Sequence, residues 1–165
     1  YRGIHEFDSN SQEFAAGAKL HEIGQCNSCH FYGEEFPTGD APTWAPNLAL
    51  TKERLNAGWV TEWLRNPGAI MPGTKMPAPY VPDNEILSLD GAEKDWGNAL
   101  IALDGDTTAM LDGLRDYLWD IKGPANIDAL IKAYFAENGY DFDNAGSGDY
   151  DDEDDDWGDD EDDDW

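Results

Sequence analysis

Apolar positions along this chain recur at helical spacing, with no sustained strand-like alternation. Residues 11–25 predict a helix behind Ser9 or Ser11 as the cap. Residues 58–66 predict a short one that stops at Pro67. Over 108–122, Leu111, Leu114, Leu118 and Ile121 fall in register, and Gly123-Pro124 ends the run. Over 127–138, Ile127, Leu130, Ile131, Tyr134 and Phe135 do the same, ending at Asn138-Gly139. A shorter pattern, Trp96, Leu100 and Leu103, sits in a long segment over 78–106. The expectation is an all-α chain, organised as an arm over 1–10, a domain over 11–140 and a tail over 141–165.

At 165 residues the body is one domain of ordinary size. No run of about 18 apolar residues predicts a membrane-crossing helix. The chain opens on Tyr1, read as the product of removing a signal sequence. The net charge is −26, unevenly spread. Residues 141–165 hold 15 acidic and no basic residues, leaving 21 acidic against 10 basic in the remainder. This sign disfavours nucleic acid and anionic lipid and favours cationic partners.

Candidate chemistry centres on Cys26-Asn27-Ser28-Cys29-His30, which contains both cysteines of the chain. C-x-x-C-H is the attachment pattern of a c-type haem. Two thiols at this spacing reach adjacent vinyl groups, and the next imidazole comes to lie beneath the iron. A thioredoxin-like dithiol needs a βαβ setting that the flanking sequence lacks. Zinc on Cys26, Cys29, His30 and a distant His21 or His5 lacks a second clear ligand pair. A chance match is the remaining alternative.

An electron-transfer haem needs a sixth ligand, and methionines stand at 71, 76 and 110. Met76 lies in the loop Pro72-Gly73-Thr74-Lys75-Met76-Pro77, free of helix constraints. Met71 also precedes a proline and competes with it, whereas Met110 falls on an apolar helix stripe. Trp59 and Trp63 are one helical turn apart and can share a face. Ordinary core packing is the alternative for both.

Four features in this order resemble the class I monohaem cytochrome c family, and its bacterial periplasmic respiratory modules in particular. They are the helix leading into Cys26–His30, Ala45-Pro46-Asn47-Leu48, Trp59-Val60-Thr61-Glu62-Trp63-Leu64-Arg65-Asn66-Pro67, and the Met76 loop followed by a helix with Tyr117-Leu118-Trp119. The resemblance covers roughly residues 11–122. It implies a cytochrome c-like helical fold around one covalent haem c, carried by Cys26 and Cys29, with His30 and Met76 on the iron. It gives Pro46 the carbonyl that receives the proximal imidazole proton. It brings Trp59 or Trp63 to a haem propionate. It makes the first and 108–122 helices cross, with Gly17 near Tyr117 or Leu118 as the permissive residue. The segment over 78–106 and the extra helix near 126–138 depart from the family, and the acidic tail adds to it. Because the family attaches haem outside the cytoplasm, the resemblance implies an extracytoplasmic setting, periplasmic or at the cell surface.

The tail repeats Asp-Asp-Glu-Asp-Asp-Asp-Trp at 151–157 and 159–165. It reads as a solvating tail, a steering and anchoring segment for a basic partner, or a collector of divalent cations. No nucleophile–base set and no paired carboxylates are visible, so the expectation is an electron-transfer protein and not an enzyme. It would exchange electrons with redox partners that carry a basic docking surface. A fixed haem subunit of a membrane-associated respiratory or extracellular electron-conducting assembly is the alternative, with His5 as an intersubunit contact. A haem enzyme with an open sixth position is the third.

Overall fold

In the computed structural model, residues 5–124 and 126–140 are described. The acidic repeat lies outside them, as does any cation or partner contact assigned to it. The described residues are helical, with two isolated β-bridges and no strand, so the all-α expectation holds. The first compact unit runs to Ile127 and contains α1 (Gln12–Ile23), α2 (Thr51–Arg54), α3 (Ala57–Arg65), α4 (Pro67–Ile70), α5 (Asn84–Leu87), α6 (Ala92–Ile101) and α7 (Thr107–Asp120). The second unit begins at Asp128 and contains α8 (Asp128–Glu137).

Side-chain oxygens start the principal helices by satisfying their first free N–H groups. Ser11 Oγ accepts from Phe14 N at 3.0 Å, Asn56 Oδ1 from Gly58 N at 3.0 Å, and Asp106 Oδ1 from Ala109 N at 3.0 Å. Helix α1 stops two residues before its expected end, because Gly24 caps it and Gln25 turns left-handed at φ 48°. Helix α7 likewise ends at Asp120, where Ile121 leaves helical geometry. Pro67 ends α3, as its missing N–H requires, and also begins α4 as its first residue. The segment over 78–106 carries two helices where one is expected, and α6 is itself broken at Gly97, φ 75°.

The core is the face shared by α1, α3, α6 and α7, with Ala16, Leu20, Val60, Leu64, Leu100, Met110, Leu111, Leu114 and Leu118 buried. Its organising contact is glycine on glycine. A Cβ on Gly17 would sit 2.1 Å from the carbonyl of Gly113, and one on Gly113 would sit 1.9 Å from Glu13 O. The crossing therefore falls at Gly113, one turn before the Tyr117–Leu118 position expected for it. A polar chain runs beside it. Thr61 Oγ1 donates to Asp112 at 2.7 Å, Arg115 binds both Asp112 and Asp116, and Asp116 holds His5 at 2.6 Å. His5 is thus engaged by its own α7.

In the second unit, α8 ends at Asn138, whose side chain donates to Tyr134 O at 2.7 Å, and at Gly139, φ 84°.

Either glycine of the crossing is intolerant of a single added methyl, because the obstructing atoms are backbone. Gly113→Ala is expected to lower stability by about 3 kcal/mol or more, at the upper end of overpacking costs, and a denaturant titration of the full chain measures it. An unchanged midpoint would contradict backbone contact at this site.

Candidate functional site: a Cys-Cys-His turn and a methionine loop

The left-handed Gln25 turns the chain from α1 into the 3-10 turn Cys26–Ser28. Cys29 N and His30 N both point to Cys26 O, at 3.3 and 3.0 Å, so the motif is one tight turn. Both thiols are free and half-buried. Burial pushes the Cys26 thiol above its ordinary range, which keeps it protonated.

Residues 45–48 run alongside residues 29–31. Ala45 N donates to Cys29 O at 2.8 Å and Leu48 N to Phe31 O at 2.9 Å, with a parallel bridge between His30 and Ala45. This pairing brings Pro46 O to 2.7 Å from His30 Nδ1. A carbonyl only accepts, so Nδ1 carries the proton and Nε2 keeps its lone pair. Burial lowers the His30 pKa, opposed by the Pro46 bond, and the ring is neutral near pH 7. A neutral imidazole with a fixed tautomer is the form that ligates a metal.

Asn47, which sequence reading did not single out, holds this arrangement. Its side chain is buried, accepts from Gly33 N at 3.0 Å and Ala49 N at 3.1 Å, and donates to Gly33 O at 3.0 Å and Pro124 O at 3.3 Å. Its place directly after Pro46 was the available signal. The rings of Phe31, Phe36 and Trp44 pack together beside it, with centroids 5.0–5.4 Å apart. Trp44 Nε1 is anchored on Gly39 O at 2.9 Å.

The other named residues form a second group. Trp59 and Trp63 stack at 5.2 Å with their planes 14° apart. Trp63 Nε1 donates to Met76 Sδ at 2.9 Å, and Met76 packs against the core. Trp63 thus spends its indole proton on the methionine sulfur. Met71 is 57% exposed, whereas Met110 is fully buried in the core. Among the described residues there is no cluster of three or more His, Cys, Asp or Glu suited to a bare metal ion. Two free thiols, one oriented imidazole and one held thioether are instead the donors that suit a covalently attached haem.

The chain is 32% identical over 99 residues to cytochrome c oxidase subunit 2 of Bacillus subtilis (strain 168). That stretch is 54% of this chain and 27% of the subunit, so the chain spans about a quarter of its relative's length. No family model and no solved structure matches the chain. The similarity corrects one expectation. The matched protein is a subunit of an oxidase, so a protein standing apart from enzymes is not the right reading. That expectation rested on a missing nucleophile–base set, and oxidation chemistry is carried by cofactors rather than by such sets. Among the described residues no helix is long and apolar enough to cross a membrane.

His21 lies along the chain between the crossing and the motif. Its Nε2 is hydrogen-bonded to Tyr32 Oη, and its ring packs on Tyr117 at 4.8 Å. Burial first, and then the nearby His30, lower its pKa. The unfolded chain therefore binds a proton that the folded chain refuses, between the ordinary value of 6.5 and the lowered one. Stability is expected to fall as pH drops below about 6.5, and His21→Gln to flatten part of that slope in denaturant titrations. Equal slopes would show that His21 titrates normally in the folded chain. Asn47→Ala leaves buried backbone groups unpaired and is expected to cost about 2–3 kcal/mol, read by the same titration.

Proposed function

We propose that this chain is a one-electron-transfer module built on a single covalent haem c, serving as part of an oxidase-type enzyme complex outside the cytoplasm. The observation that carries the reading is the 2.7 Å bond between His30 Nδ1 and Pro46 O, directly after the two free thiols. When bound, the haem supplies a ferric/ferrous couple able to take up and release single electrons.

In this reading Cys26 and Cys29 hold the macrocycle by thioether bonds. His30 offers Nε2 to the iron while its other nitrogen stays on Pro46, which fixes the ring and strengthens its basicity. Met76 would offer a soft thioether to the same iron, favouring the reduced state. Trp63 restrains that sulfur through its indole N–H, leaving a second sulfur lone pair for the iron. The exposure of Met71 supports Met76 as the ligand.

The similarity to an oxidase subunit supports work within a complex rather than as a lone species. The acidic balance supports redox partners with basic docking surfaces. The tail over 141–165 would steer such partners from a distance, in a salt-dependent way.

Production in a host that attaches c-type haem tests the reading. The expected outcome is one haem per chain, retained after denaturation, with a far-red sulfur-to-iron band in the ferric state. Met76→Ala is expected to abolish that band and Met71→Ala to keep it. The reverse pattern would transfer the ligand role to Met71, and a high-spin spectrum in the unaltered chain would defeat the His30/Met76 assignment.

A further inference from the structure

Of Trp59, Trp63 and Met76, Trp59 is the exposed one, at 39%. One indole face is covered by Trp63 at 5.2 Å, in a near-parallel stack. Trp63 in turn touches Met76 Sδ through its N–H at 2.9 Å. These contacts form an unbroken path from solvent to the sulfur, made of two aromatic systems and one hydrogen bond. Burial of the remaining area of Trp59 would stabilise a complex, and such residues are enriched at binding centres.

We propose that Trp59 is the contact through which a basic redox partner docks and delivers its electron to this chain. The proposal rests on the haem reading above. The occupant follows from charge: residues 1–140 carry 21 acidic against 10 basic side chains, and an indole face attracts a cationic group. A partner Arg or Lys, or a planar cationic donor, lies on the open part of Trp59. In that contact one electron would pass from the donor, oxidised by one unit, to the haem that Cys26, Cys29, His30 and Met76 would hold, reduced by one unit. No covalent bond forms or breaks and no proton moves. The indoles couple the two centres and are not themselves oxidised. Trp63 and Met76 position the path, and Trp59 makes the contact.

The test uses the full chain with its haem and the methyl viologen radical cation as donor, a planar aromatic cation, in stopped flow at low ionic strength. Trp59→Leu is expected to slow reduction roughly tenfold, the loss typical of a truncated aromatic anchor, with the far-red band retained because His30 and Met76 are untouched. Trp59→Phe is expected to fall between the two. Tyr80→Leu, which removes another exposed aromatic, is expected to react like the unaltered chain. A second readout needs no turnover: oxidised methyl viologen is expected to shift the indole N–H resonance of Trp59 in isotope-labelled chain. An unaltered rate in Trp59→Leu, an equal loss in Tyr80→Leu, or loss of the far-red band in Trp59→Leu overturns the proposal. A Trp59 resonance that moves with chain concentration alone assigns the face to a second copy and also overturns it. A chain that takes up no haem defeats the underlying reading as well, whereas a normal haem with an unaltered Trp59→Leu rate defeats this inference alone.

Discussion

The close passage of α1 over α7 at Gly17 and Gly113 is the constraint on which the rest of the molecule depends. With no Cβ on either helix, backbone meets backbone, and Ala16 and Leu20 sink into the face made by Leu111, Leu114 and Leu118. One turn further along α1, His21 lies against Tyr117 and Tyr32. Two residues beyond Ile23 the chain reverses through Gln25 into the cysteine turn. The position of Cys26 is thus set by a contact between two glycines that carry no chemistry themselves.

The histidine group and the methionine group are built on different principles. The histidine side is a lattice of backbone pairings between residues 29–31 and 45–48, closed by the buried Asn47 side chain. The Asn47 amide uses both its oxygen and its nitrogen on backbone groups, which holds the two segments in one register. The methionine side rests on packing. A short helix presents two stacked indoles, and a Pro/Gly loop lays its sulfur against one of them. A lattice resists displacement, while a stacked and half-open group tolerates the approach of another surface.

Much of this was legible beforehand where local chemistry decides the outcome. Ser11 marks the start of α1, Pro67 the end of α3 and a leucine register the length of α7, and C-x-x-C-H marks the turn. What was not legible depended on distant parts of the chain. Gly113 reads locally as a tolerated helix glycine, and only Gly17 across the crossing gives it meaning. Asn47 reads as a loop residue, and its partners Gly33 and Pro124 lie 14 and 77 residues away. Pro67 signals a stop but not the restart as α4, because its fixed φ suits both roles. The likeness to an oxidase subunit has no side-chain signal of its own, because oxidation chemistry belongs to cofactors, and only the order of motifs pointed toward it, through the alternative of a fixed respiratory subunit.

The bond from Asn47 to the Pro124 carbonyl ties the histidine segment to a residue 77 positions away, so that clamp depends on closing a long loop. The cysteine turn needs no such closure, since Ser28 N reaches Gln25 O and both Cys29 N and His30 N reach Cys26 O within residues 25–30. Two neighbouring parts of the chain therefore rest on contacts of very different range. A change that loosens the end of α7 would reach the segment carrying Pro46 and leave the turn carrying Cys26 and Cys29 in place.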